Sequence, residues 1–333
     1  MKRYTSKKMK IIHSLNQITR PFEKPCVTIG NFDGVHLGHQ QLFSEVVQRA
    51  RRNGGCSVVV TFDPHPLRVL RPDGIKLIST IDQKIEQIDR AGIDILVIIP
   101  FDQSFASTSA ETFVQDILVG TIGMSELVVG YDYAFGKGRS GDTKFLKEQG
   151  RIEGFPVTIV EPFYKNEMLV SSSKIRELVH DGRMMDAMVL LGRPYQIRGV
   201  VQVGEKRGGK EIGYPTANLQ VNEEDLVPRI GVYVAQVISE GNCYGGVLNL
   251  GYNPTFGGQQ LLAETHIFDF NKDIYGKPIK LNLLKFVRDE WKFPGIKELA
   301  SQISQDVVEA KKVLENYHKE LVVSCAAESG ISM

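Results

Sequence analysis

Cysteine is scarce in this 333-residue chain, and the four present, Cys26, Cys56, Cys243 and Cys325, are scattered without any Cys-x-x-Cys spacing. That excludes a disulfide framework and a cysteine-built zinc site, and it points to reduced thiols in a cytoplasmic protein. Long hydrophobic runs are also missing. The most apolar stretch, Ile93 to Ile99, is a strand's length, so no membrane span is expected. The basic start, Met1 to Lys10, leads into Ile11-Ile12-His13-Ser14 rather than an apolar core, which does not read as a secretory signal. Charge of either sign is not in excess: 40 Lys and Arg stand against 39 Asp and Glu. A net charge of +1 offers no general footprint for a phosphate backbone, so no nucleic-acid partner is expected and any anion site must be local.

What is present is an ordinary globular composition, 42% hydrophobic and 24% charged, with enough length for two domains. The most informative run is Gly30-Asn31-Phe32-Asp33-Gly34-Val35-His36-Leu37-Gly38-His39. It follows a strand-like run, Cys26 to Ile29, and precedes a helical pattern from Gln41 to Asn53. A helix starting near His36 would put both imidazoles on one face of its first turn, beside unpaired amides and the positive dipole end. Phosphate handling is the direct reading. The run carries the signature Gly-x-Phe-Asp-x-x-His-x-Gly-His and so resembles the nucleotidylyltransferase superfamily, which transfers AMP or CMP groups.

From Cys26 to about Val160, strand-like runs alternate with helices that Thr80, Ser109 and Asp142 are placed to cap. The alternation predicts an α/β fold with a doubly wound parallel sheet and ligands at its carboxyl edge. Phe62-Asp63-Pro64-His65-Pro66 and Tyr131-Asp132-Tyr133-Ala134-Phe135 follow two of those strands. Two other runs mislead. Gly136 to Gly141 matches the dinucleotide fingerprint by letter but is separated from its strand, and it reads instead as a Gly-rich substrate loop. Gly204 to Glu211 misses a P-loop by one residue, with Glu211 where a hydroxyl is needed.

Ser171-Ser172-Ser173-Lys174-Ile175-Arg176 opens a short helix, where serines commonly cap. Ser-Ser-x-x-Ile-Arg is also the second motif of the same superfamily. After a helical stretch ending at Gly192-Arg193-Pro194 the pattern changes to strand after strand, which predicts a small antiparallel β-barrel. A terminal amphipathic helix, Ile296 to His318, should pack on it with Leu299, Ile303, Val307, Val308 and Leu314. The expected domains are residues 1–183, a linker at 184–194, a barrel at 195–320 and a loose tail at 321–333.

Within the barrel, Thr216 and Asn218 present neutral oxygens two positions apart on an extended segment, and Glu264 begins a strand. The residues alone favour a plain turn and an exposed Glu. However, Gly213 to Asn218, Asn249 to Phe256 and Glu264-x-His266 resemble the flavokinase family. That module behind a nucleotidylyltransferase module is the layout of the bacterial bifunctional riboflavin kinase and FAD synthetase family, over about Val27 to His318.

The resemblance implies two reactions: riboflavin and ATP to FMN and ADP, then FMN and ATP to FAD and pyrophosphate. Glu264 would be the kinase base, with Thr216 and Asn218 holding Mg2+. His36, His39 and Arg176 would carry adenylyl transfer, with Gly30, Asn31, Phe32, Asp33, Gly38, Ser172 and Ser173 around the nucleotide phosphates. Phe62, Pro66, Asp132 and Phe135 would lie against the flavin. One departure is the long, charged Glu205 to Ile212 segment, which leaves open which residues cover the kinase nucleotide. The expected state is a monomer or weak homo-oligomer. The alternatives are a nucleotidylyltransferase acting on another substrate, or a flavin-binding protein without catalysis.

Overall fold

The computed structural model describes residues 8–71, 73–203, 213–222, 224–255 and 258–329. Packing divides the chain into two compact units, Met1–Lys174 and Ile175–Met333.

The first unit is built on six parallel strands: β1 (Lys10–Ile12), β2 (Cys26–Ile29), β3 (Ser57–Asp63), β4 (Ile95–Pro100), β5 (Glu126–Gly130) and β6 (Val157–Val160). Their order is β1-β4-β3-β2-β5-β6. From β2 the chain winds outward to β3 and β4, then returns to β5 and winds the other way. The crevice at the carboxyl ends of β2 and β5 is therefore the switch point where such sheets take ligands.

The helices are α1 (Leu37–Arg52), α2 (Pro66–Leu70), α3 (Ile81–Arg90), α4 (Gln103–Ala106), α5 (Ala110–Thr112) and α6 (Thr143–Glu153), and α5 continues in wider π-type turns over Phe113–Ile122. Thr80, Ser109 and Asp142 cap α3, α5 and α6 as expected. Both sheet faces are covered, which explains the unbroken apolar run of β3. Val58, Val60 and Phe62 join one core with Phe113 and Leu118, while Val59 joins the other with Phe43, Val46 and Ile88. A hairpin of β7 (Tyr164–Lys165) and β8 (Met168–Leu169) then leads to α7 (Ser172–His180).

The second unit contains α8 (Met184–Leu191) and six antiparallel strands: β9 (Tyr195–Val200), β10 (Thr216–Gln220), β11 (Gly231–Ser239), β12 (Asn242–Thr255), β13 (Gly258–Ile267) and β14 (Pro278–Arg288). Their order is β10-β13-β12-β11-β14-β9. The two ends meet at an antiparallel bridge, where the Gln202 amide donates to the Asn218 carbonyl at 2.8 Å and closes the barrel.

Helix α9 (Ile296–Ser329) lies on β11 and β12 and buries Ala310 and Leu314 against Val232, Val234 and Phe268. It differs from expectation in two ways. Its backbone continues past His318 through the stretch read as a tail, where Ala326 and Ala327 are strong helix formers. Val308 points outward at 54% exposure, because the stripe runs through 303, 307, 310 and 314, and residue 308 falls a step off it.

A forked ion pair ties α9 to the barrel: Arg288 meets Asp306 at 2.7 Å, with 12% and 4% of the two side chains exposed. Asp306→Ala would leave the guanidinium nearly dry and unpaired. We expect a loss of about 3–5 kcal/mol in the second unit. The single tryptophan, Trp291, stacks over Arg288 at 4.8 Å, so its fluorescence during denaturant unfolding reports the change.

Candidate functional site

The turn after β2 is strained. Phe32 and Val35 have φ of +48° and +40°, and left-handed backbone is costly for a β-branched residue. Buried contacts hold it there. Asp33, 2% exposed, turns inward and accepts hydrogen bonds from the Ile78 amide at 3.1 Å and the Ser79 amide at 3.2 Å. The Gly34 amide donates to Ser79 Oγ at 3.0 Å. Phe32 packs its ring against Phe43 and His39. Glycine is required at 30, since a Cβ there would lie 2.8 Å from the Phe32 ring.

This turn delivers His36 to the N-cap of α1, where its Nδ1 accepts from the His39 amide at 3.3 Å. With Nδ1 accepting, the neutral ring carries its proton on Nε2. The two imidazoles stack with centroids 3.5 Å apart and planes 17° from parallel. Gly38 permits this, because a Cβ on it would come within 3.3 Å of the His36 ring. The first-turn amides of Leu37 and Gly38 have no intrahelical acceptor and face the same end. Imidazole N–H groups and a helix N-terminus together are chemically suited to receive a phosphate chain.

Ser172 Oγ donates to the Asp33 carbonyl at 3.0 Å, so the second motif docks on the first. Ser171 caps the start of α7 by accepting from the Lys174 amide. Ser173 is exposed and Asn31 half-buried. Arg176 lies a turn further along α7, within the second unit.

The aromatic candidates sit at neighbouring strand ends. Phe62 is 8% exposed and reaches Phe135 only through a chain of rings: Phe62 to Phe105 at 6.0 Å, Phe105 to Phe113 at 6.1 Å, Phe113 to Phe135 at 5.4 Å. Pro66 opens α2, which the buried His65 caps. Asp132 is exposed, and Tyr133 stacks on Phe135. Backbone bonds between Phe135 and Gly141 pin the base of the Gly-rich loop, and α6 begins only at Thr143. Its glycines are therefore not a strand-to-helix phosphate turn.

In the barrel, Thr216 and Asn218 alternate with buried Ala217 and Leu219, so their side chains leave β10 on one face. Register then lines up Asn218, Glu264 and Asn249 across β10, β13 and β12. Glu264 Oε1 accepts from Asn253 Nδ2 at 3.0 Å. Burial pushes the Glu264 carboxyl above its ordinary range; the Asn253 bond works against this, and the charge of Glu290 adds to it. Asn218 Oδ1 is buried without a protein hydrogen bond. An uncommitted amide oxygen beside a threonine hydroxyl fits a hard divalent cation whose remaining ligands are phosphate and water.

Sequence reasoning missed Asn253 and Glu290 as neighbours of Glu264, and Ile78 and Ser79 as anchors of the first turn. Only the fold brings them together. The near-P-loop, the Glu205 to Ile212 segment and Phe256 lie outside the described residues.

Comparison with known proteins agrees with both halves. The FAD synthetase family matches residues 19–174 and the riboflavin kinase family residues 191–314. A bifunctional riboflavin kinase/FMN adenylyltransferase of Bacillus subtilis is 38% identical, covering 94% of this chain and 100% of its own length. The Escherichia coli protein of the same name is 34% identical, over 91% of this chain and 97% of its own. A crystal structure from Streptococcus pneumoniae, described as a macrolide-efflux protein, matches with a TM-score of 0.83 and 33% identity, over 92% of this chain and 99% of the other. Among the described residues here, no helix is long and apolar enough to cross a membrane.

Proposed function

This chain belongs to the bacterial bifunctional riboflavin kinase/FMN adenylyltransferase family, and from that membership we propose how its residues divide the work. It phosphorylates riboflavin with ATP to give FMN and ADP, and it adenylylates FMN with ATP to give FAD and pyrophosphate. A divalent metal serves the ATP chemistry; Mg2+ is the ion proposed here.

Phosphorylation starts from a weakly acidic alcohol and needs a base. Glu264 fills that role: Oε1 is held by Asn253, leaving Oε2 to take the ribityl hydroxyl proton. A carboxylate whose proton affinity burial has raised is a stronger base than an exposed one. Thr216 and Asn218 would hold Mg2+, which neutralises charge on the ATP phosphates when bound.

Adenylyl transfer starts from an anion and needs no base. A phosphate oxygen of FMN forms a bond to the α-phosphorus of ATP, and the bond from that phosphorus to the oxygen bridging toward the β-phosphorus breaks. Donors aimed at the developing charge suffice. His36 and His39 supply them with the amides of Leu37 and Gly38. Ser172, Ser173 and Arg176 are proposed to bind the triphosphate, and Asn31 and Asp33 to shape the turn beside it. Phe62, Pro66, Asp132 and Phe135 are proposed to lie toward the flavin. ATP use and scattered cysteines fit a cytoplasmic enzyme, and each site drawn from one chain fits a monomer or weak homo-oligomer.

The observation that carries this reading is the stacked imidazole pair at the N-terminus of α1. The direct test is incubation with riboflavin, ATP and Mg2+, followed by separation of the flavins. FMN should appear first and FAD after it. Turnover of ATP without either product would overturn the reading.

A further inference from the structure

Helix α3 carries a lysine where its pattern calls for an apolar residue. Ile81, Ile85 and Ile88 face the core, and Lys84 lies in the same stripe, 5% exposed. A buried lysine is almost always paired. Lys84 makes one long hydrogen bond, from Nζ to Thr61 Oγ1 at 3.5 Å. Thr61 Oγ1 in turn donates to the Asn31 carbonyl at 3.3 Å, inside the strained turn. The same helix's lead-in, Ile78 and Ser79, supplies the amides that hold Asp33. Asp33 and Gly34 of the histidine-bearing turn are thus held by the lead-in to α3, and its Asn31 carbonyl is held by Thr61, which Lys84 reaches from α3 itself. Burial lowers the proton affinity of Lys84, while the charges of Asp33 and Asp63 oppose that loss.

We propose that Lys84 is a positioning residue for adenylyl transfer: its buried ammonium, acting through Thr61 and opposite the Asp33 carboxylate, fixes the left-handed turn that aims His36 and His39. This explains why so costly a group is kept in the core. A methionine would fill the space, and replacing a poorly paired buried charge with an apolar side chain is often neutral or stabilising. Stability alone does not account for a lysine here.

The inference rests on His36 and His39 being the adenylyl-transfer groups, and its test separates the two. In the full-length enzyme, Lys84→Met should lower kcat for FAD formation about ten- to hundredfold, the cost of a slight misplacement of reacting groups. The KM for ATP should change little and the thermal midpoint should hold or rise. Riboflavin phosphorylation, carried by the other unit, should not change. Thr61→Val, which breaks the same relay, should show the same kcat loss, and the double variant should lose no more than the worse single one. Full FAD synthesis in Lys84→Met, or a loss that follows the fraction unfolded and recovers on cooling, would overturn the proposal. If His36→Ala is dead and Lys84→Met fully active, only the role of Lys84 falls. An active His36→Ala removes the reading beneath it.

Discussion

His36→Ala is expected to lower FMN adenylylation about 10²- to 10³-fold while riboflavin phosphorylation continues unchanged, so that FMN accumulates where the native enzyme makes FAD. The size is the one expected if His36 is, as proposed, a preorganised donor at the position where charge develops. His36 is also the N-cap of α1, and loss of a cap costs about 1 kcal/mol, so alanine confounds chemistry with fraying. His36→Asn separates them, because asparagine caps well but lacks the ring that stacks on His39. Both variants should lose FAD synthesis, with α1 secure in the second. A fully active His36→Asn would sink the donor assignment.

Glu264→Gln is expected to do the converse. The amide nearly preserves shape but cannot accept a proton in the transition state, so FMN formation should fall about 10²- to 10⁴-fold. FAD formation from supplied FMN should persist. Kinase kcat measured on riboflavin, beside FAD synthesis from FMN on the same preparation, provides the comparison. Native kinase turnover in Glu264→Gln would remove it as the base, and loss of both activities would contradict separate sites.

The two sites were legible in the sequence to different depths. Local pattern carried the first: a strand, a glycine-rich turn and a helical period put His36 and His39 on one face of a helix start, while their stacking is seen only in the fold. Pattern did not reveal the direction of Asp33. A carboxylate beside two histidines reads equally as ligand contact or loop anchor, and the amides that turn it inward arrive 45 residues later. Lys84 went unremarked, because only the fold shows that it is buried. The barrel site depended on resemblance, since Thr216, Asn218 and Glu264 come together through strand register, which spacing alone does not specify. Strand β1 escaped notice because three residues are too few to show a period.

The barrel closes at Asn218, whose side-chain oxygen is buried without a protein hydrogen bond while its carbonyl receives the Gln202 amide. If Asn218 is also the proposed cation ligand, one amino acid is both zipper end and ligand, and cargo at this position would brace the join from within. Among the described residues the cylinder is joined there by a single bridge, and on this proposal loading the enzyme would also fasten it.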